Sequence, residues 1–285
     1  MTLNAIRSAF VQLCPPVILP IARRLIAPKG GGNLLQGQFS TWNEAVNEGS
    51  GYDDAEILRR VEEAALKVMR GDAAFERDAV AFEETDWPYP LLATFLRLAL
   101  ERQGSLCVLD FGGSLGSTYH QCRAFMNGVR SLRWKVVEQS HYVQRGRQVF
   151  ENQELQFFES VEEAVRTEQP DVALFSGVLQ YLENPYEVLR TAAQATREAV
   201  IIDRTPWSKL DEDVITLQVI PPQFYRARVP FRVFAEGNLE RAINSEYKQI
   251  DSLKALDPDL YLGKNQVHFG CWFFERRDTP KTNLT

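Results

Sequence analysis

Val108-Leu109-Asp110-Phe111-Gly112-Gly113-Ser114-Leu115-Gly116-Ser117 is the stretch that decides how this chain folds. A short apolar run, Leu106 to Leu109, ends in an acid and then a glycine cluster. That order reads as strand, tight turn and helix, the setting of a nucleotide-binding turn. Glycines there let the backbone reverse sharply and come close to a ligand. The dinucleotide pattern G-x-G-x-x-G fails in either register. From Gly112 it meets Ser114 and Ser117, and from Gly113 it meets Leu115 and Thr118. No Gly-Lys-Ser/Thr follows, so a phosphate-cradling P-loop is excluded. What fits is acid-x-Gly-x-small-x-Gly, written by Asp110, Gly112, Ser114 and Gly116. A carboxylate before the glycines repels a pyrophosphate and suits a ligand that carries an ammonium group.

Downstream of this turn the chain alternates. Strand-like runs are Trp134–Val137, Gln156–Phe158, Val172–Phe175 and Ala199–Ile202, and helix-like segments fall at 116–127, 141–151, 160–168 and 185–196. Such alternation predicts a parallel sheet covered by helices on both faces. Ligands in these sheets sit at the carboxyl ends of the strands. The second strand ends in Glu138, placed to accept from two ribose hydroxyls, and the third ends in Phe158-Glu159-Ser160, where an adenine amino group could be read. Ammonium, ribose and adenine occur together in S-adenosylmethionine.

Upstream, 41–48, 53–70 and 90–103 carry apolar residues at helical spacing, among them Ile57, Val61, Ala64, Ala65 and Val68, with Asp53 or Asp54 as cap. The first hundred residues therefore read as helical, with 28–37 a Gly- and Asn-rich linker. Residues 1–27 place Leu3, Ile6, Phe10, Leu13 and Val17 on one helical face; Arg7, Arg23, Arg24 and then Lys29 add charge, without acids, and Pro15, Pro16 and Pro20 interrupt. Two readings stand for this segment: a helix on an anionic membrane surface, or one docked on its own domain. After residue 205, Pro206, Pro221, Pro222 and Pro230 mark an insertion over 205–233. A helix is expected at 234–244, strands at Lys248–Leu253 and Val267–Glu275, and a frayed tail at 277–285. The organisation read is a segment 1–37, a helical region 38–104 packing on the core, a core domain 105–276 and the tail.

Composition limits the alternatives. The 285 residues are 45% hydrophobic and 25% charged, which is ordinary for a globular protein and excludes wholesale disorder. A net charge of −6 argues against a nucleic-acid coat. The four cysteines are scattered, with neither zinc spacing nor the density of a disulfide framework, which suggests a reducing, cytoplasmic compartment.

Residues 106–203 resemble the class I, Rossmann-like S-adenosylmethionine-dependent methyltransferases. A narrower group of uncharacterised methyltransferases, associated with bacterial surface-polysaccharide gene clusters, is closer. The likeness is carried by Ser50-Gly51-Tyr52-Asp53, Val108 to Ser117, Trp134 to Gln139, Val178-Leu179-Gln180-Tyr181-Leu182, Ile201 to Pro206, and the Pro-Pro and Tyr segment near 221–225. It runs from about 39 to 275. The resemblance implies a seven-stranded, mostly parallel sheet whose last strand is antiparallel. It implies that Asp110, Gly112 and Gly116 hold the methionine end of the cofactor, with Gly113 and Ser114 in the same turn, and that Glu138, beside Gln139, holds the ribose. Glu159, Ser160, Ser176 and Gly177 complete the expected cofactor set. Ser114 departs from the general pattern by replacing the middle glycine.

Methyl transfer to oxygen needs alignment and a base. The candidates are His141 near the ribose rim, Tyr181 after the fourth strand, and Asp203-Arg204 at the fifth; His120 is a further histidine near the turn. Arg204 suits an acidic or phosphorylated acceptor. Arg226, Arg228 and Arg232 among Phe224, Tyr225 and Phe231 suit a glycan. The expected reaction is O-methylation of a sugar or polysaccharide precursor. The competing readings are a non-catalytic scaffold at a membrane assembly and a sugar-nucleotide oxidoreductase or epimerase.

Overall fold

The computed structural model describes residues 34–49, 54–220, 227–255 and 257–277. The amphipathic segment 1–27, the 28–33 part of the linker, Ser50 to Asp53, residues 221–226 and the tail from 278 lie outside the described residues.

The strands at the centre are β4 (Ser105–Phe111), β5 (Ser131–Val137), β6 (Leu155–Phe158), β7 (Val172–Ser176), β8 (Ala199–Ser208), β11 (Tyr247–Lys254) and β13 (Asn265–Arg276). Their order across the sheet is β6-β5-β4-β7-β8-β13-β11. β4 to β8 pair in parallel, and β13 runs antiparallel to both β8 and β11. This is the expected seven-stranded, mostly parallel Rossmann-like sheet. The connections are α4 (Ser117–Arg123), α5 (Ser140–Val149), α6 (Val161–Val165), α7 (Pro185–Ala195) and α8 (Asn238–Ile243).

Near-continuous apolar strands follow from burial on both faces. The alternation within each strand sorts side chains to two cores. Val108, Trp134, Val136, Val172, Leu174 and Ile201 face one side, packed against Val61 of α2 (Asp54–Arg70) and Leu92, Phe95 and Leu98 of α3 (Tyr89–Glu101). Leu109, Val137, Ala173, Phe175, Val200 and Ile202 face the other, against Leu189 and Ala192 of α7 and Leu239 and Ile243 of α8. Lys135 breaks the apolar run of β5 and is fully buried. Its Nζ donates to the carbonyls of Ala164 and Glu168 at 2.7 and 3.0 Å, so its charge lies at the C-terminal end of α6, where the helix dipole favours a cation.

Three expectations are corrected. Residues 35–37, assigned to the linker, open β1 (Leu35–Phe39). The upstream region is not wholly helical: after α1 (Trp42–Glu48) and α2, a hairpin of β2 (Phe75–Arg77) and β3 (Val80–Phe82) intervenes before α3. The described part of the insertion carries strands. β9 (Val214–Ile220) pairs with β1 and with β10 (Ala227–Ala235), and β10 joins the end of β8. The helix expected at 234–244 therefore shortens to α8. β10 alternates, burying Val229, Phe231 and Val233. Pro230 is tolerated because β10 pairs only with β9 at that point. β12 (Leu260–Leu262) adds a short pairing to β13. Among the described residues, no helix is long and apolar enough to cross a membrane.

Candidate functional site

At the carboxyl ends of β4, β5 and β7, beside the middle of β8, lies a cavity of about 740 Å³. The hairpin β2–β3 contributes part of its wall through Glu76, Arg77 and Asp78.

The turn after β4 is shaped by close approach. Gly112 has φ +74°, its N–H donates to the Val137 carbonyl at 2.9 Å, and a Cβ there would meet Val178 Cγ2 at 2.3 Å. At Gly113 a Cβ would lie 2.6 Å from the Asp110 carboxyl. The acid and the glycines of the motif are thus packed on one another. Ser114 is left-handed too, at φ +56°. Gly116 opens α4 against Leu155 and, unlike the other residues of the turn named above, does not line the cavity.

Asp110 is 1% exposed yet stands on the cavity wall. Its Oδ2 accepts from the indole Nε1 of Trp134 at 2.9 Å. Burial pushes its pKa up to about 7, and that neutral donor offsets only part of the effect. Glu138 follows β5; its Oε2 accepts from the Gln139 N–H at 2.8 Å. Burial raises its pKa, and the N–H groups of Gln139 and Ser114 pull it the other way. Glu159 and Ser160 line the cavity at the end of β6. Ser160 Oγ also accepts from the Glu163 N–H at 3.1 Å, as the N-cap of α6. Ser176 and Gly177 line it at the end of β7, and Ser176 Oγ donates to Asp203 Oδ2 at 2.8 Å. Burial raises the pKa of Asp203.

Of the catalytic candidates, His141, Tyr181, Asp203 and Arg204 all face this cavity. His141 lies in the first turn of α5, and its buried Nε2 has no hydrogen bond among the described residues. The Tyr181 hydroxyl donates to Gln218 Oε1 at 2.8 Å and its ring packs edge-on to Phe231, so it ties the insertion to the cavity. His120 does not reach the cavity. It lies against Tyr119 and Phe150, and burial lowers its pKa to about 4, which keeps it neutral. The insertion offers less to a glycan than expected. Phe231 is fully buried, and Arg232 lies over Trp42 and donates to the Glu183 carbonyl. Phe224, Tyr225 and Arg226 are outside the described residues.

Sequence reasoning missed the hairpin. Glu76 is buried, with Oε1 accepting from the Ala79 N–H at 3.0 Å and Oε2 from the Ser117 hydroxyl. Burial pushes its pKa up to about 7. Asp78 pairs with Arg204 across the cavity at 2.8 Å. The only available signal was Phe75 and Phe82 flanking a polar tip; their rings stack at 4.6 Å.

No family model matches the sequence, and no curated protein matches it. Solved structures do. The N-terminal domain of EvdMO1 with S-adenosylhomocysteine bound is 17% identical, covering 79% of this chain and 98% of that one, with a TM-score of 0.44. A Burkholderia thailandensis 1,6-didemethyltoxoflavin-N1-methyltransferase, bound to 1,6-didemethyltoxoflavin and S-adenosylhomocysteine, is 15% identical over 85% of this chain and 93% of that one, with a TM-score of 0.42. An S-adenosylmethionine-dependent methyltransferase from Mesorhizobium loti is 14% identical over 66% and 97%, with a TM-score of 0.43. At such values the fold rests on the chain's own strand order. That order, β6-β5-β4-β7-β8-β13-β11 with β13 reversed, gives the chain the class I methyltransferase fold.

Proposed function

We propose that the protein is an S-adenosylmethionine-dependent methyltransferase acting on a hydroxyl of a sugar or polysaccharide precursor. One observation carries the cofactor reading: two carboxylates, the buried Asp110 and the half-buried Glu138, flank the acid-first glycine turn on one cavity wall. A cation on the ligand relieves the burial of Asp110, and vicinal hydroxyls donate to Glu138. The same wall disfavours a dinucleotide pyrophosphate. The donor set therefore fits the cofactor. Asp110 and the Gly112–Ser114 turn would hold its amino-acid end, Glu138 with Gln139 its ribose, and Glu159 its adenine amino group. When bound, the cofactor supplies a methyl group on a sulfonium.

The remaining chemistry belongs to the acceptor. A hydroxyl must lose its proton, and the base must stand on the far side of the cavity from the ribose site. Asp203 meets this condition: it projects from β8, with one oxygen held by Ser176, and burial makes it a stronger base than an exposed carboxylate. His141 belongs to the ribose side, on α5 next to Glu138. Sequence resemblance supports the sugar acceptor. Calorimetric titration with S-adenosylhomocysteine, with NAD as control, tests the cofactor reading. Micromolar binding of the first and none of the second is expected; binding of NAD alone overturns it, and binding of neither points to a repurposed fold.

A further inference from the structure

We propose that Arg204 anchors an anionic group on the acceptor, and that Asp78 at the hairpin tip occupies this anchor until the acceptor displaces it. The word acceptor rests on the methyltransferase reading above; the anion site does not.

The argument begins with a register shift. Thr205 lies opposite Gly270 and Ile202 opposite Trp272, so Asp203 and Arg204 together face the single residue Cys271. This bulge lets two consecutive strand residues line one cavity, which regular alternation forbids. Arg204 takes the left-handed conformation at φ +51°, unusual for a residue with a side chain. Such strain, kept beside a cavity, points to a function for the side chain it aims.

The guanidinium is held on two sides and open on a third. Nε and Nη2 donate to Asp257 Oδ1 at 3.2 and 3.1 Å, and Nη2 donates to Asp78 Oδ2 at 2.8 Å. Nη1 has no hydrogen bond among the described residues and lies beside Gly177, where a Cβ would sit 3.6 Å away. The two aspartates are not equivalent. The Asp257 side chain is 20% exposed, whereas that of Asp78 is 74% exposed, so water already solvates the latter. A partner so exposed holds the guanidinium less firmly than Asp257 does and can be exchanged.

Asp78 also sits on an element that can yield. β2–β3 is a two-stranded hairpin whose tip residues, Asp78 and Ala79, are both left-handed, at φ 53° and 63°. With Asp78 in place Arg204 is over-neutralised, and a second anion is repelled. Once Asp78 leaves, the planar fork offers two donors to a carboxylate or a phosphate, which share the required geometry. Elsewhere the wall carries Glu76, Asp110, Glu138 and Glu159, which repel an anion; Arg77 lies over Phe75 and donates to Gln121, and Asp203, beside Arg204, is held by the Ser176 hydroxyl. The anion is therefore directed to the Arg204 end.

The test titrates the full chain, with and without S-adenosylhomocysteine, with glucuronate, glucose 1-phosphate, inorganic phosphate and neutral methyl glucoside, and follows amide exchange over 75–82. At least one anionic sugar should bind about tenfold more tightly than methyl glucoside. The two anionic arms separate carboxylate from phosphate, and inorganic phosphate shows whether the charge alone suffices. That ligand should speed exchange at 76–80. Asp78→Asn should raise its affinity severalfold, and Arg204→Met should abolish the preference for charge. A preference that survives Arg204→Met, equal binding of charged and neutral sugars, or an unmoved hairpin overturns the proposal. Failure of S-adenosylhomocysteine to bind the wild type overturns the methyltransferase reading instead, and the anion preference is scored without it.

Discussion

Asp110 carries most of the electrostatics of the turn, and its raised pKa has a definite sign. An ordinary aspartate titrates near 3.9, whereas burial pushes this one to about 7. The folded chain therefore holds the proton more tightly than the unfolded chain. Its contribution to stability is fully present below about pH 4 and is lost as pH rises through 7. Glu76, also near 7, acts in the same direction. We expect these two groups to withdraw stability from the free protein between about pH 4 and pH 7, by on the order of 2–4 kcal/mol for each group at most. Asp110→Asn should flatten its share of that loss in thermal melts. Because the ammonium of the ligand favours the ionised form, affinity for S-adenosylhomocysteine should rise over the same interval in the wild type and stay level in Asp110→Asn. Asp110→Ala and Glu138→Ala should each weaken this binding by about 1–3 kcal/mol, read by calorimetry; unchanged affinity in both folded variants removes the site assignment. The glycines offer a steric contrast. Gly112→Ala meets Val178 as well as an unfavourable φ, whereas Gly71, at φ +80°, has open space around it. Gly112→Ala should cost about 2–4 kcal/mol in urea unfolding and Gly71→Ala about 1 kcal/mol.

At the scale of single elements, Ser160 separates two roles that the sequence left together. As the N-cap of the five-residue α6 it stabilises an element too short to persist alone. Ser160→Ala should cost about 1 kcal/mol of stability while changing S-adenosylhomocysteine affinity less than about threefold. A large loss of affinity at unchanged stability would assign the hydroxyl to the ligand instead. The elements differ in how well they could be read. β4, β7 and the first half of β8 announce themselves, because burial on both faces demands unbroken apolar runs such as Leu106 to Leu109 and Val200 to Ile202. β1 exposes three of its five residues and reads as loop. The β2–β3 tip uses Asp78 and Ala79 where a glycine would have signalled the turn. In β10 the alternation of Val229, Phe231 and Val233 was present, but Pro230 and the neighbouring prolines masked it. The bulge at Asp203-Arg204 leaves no local sign, since it is defined only against β13.

For the whole molecule the decisive fact is that both cores share one sheet. The wall of Asp110, Gly112, Glu138 and Glu159 comes from residues at or just after strand ends, and its place was legible; the hairpin side was not, because Asp78 meets Arg204 across 126 positions of sequence. The same sharing bears on how the chain unfolds. Read as sequence, 38–104 is a helical region that packs on the core domain. In the fold, Phe95 of α3 is fully buried and meets Trp134 of β5 edge-on at 5.4 Å, and Leu92 and Leu98 belong to the same core. Leu189 of α7 is buried against the opposite face of the same strands. Neither face can lose its helices without exposing a sheet on which the other depends. Phe95→Ala should therefore cost about 3–5 kcal/mol and Leu189→Ala about 2–5 kcal/mol. Each should shift a single unfolding transition, monitored together by indole fluorescence and far-ultraviolet circular dichroism. Two transitions, with Phe95→Ala moving only one, would make the upstream helices a separate unit. One transition moved by both variants would make α2 and α3 part of the methyltransferase-fold domain, and a chain lacking residues 1–104 would then not fold.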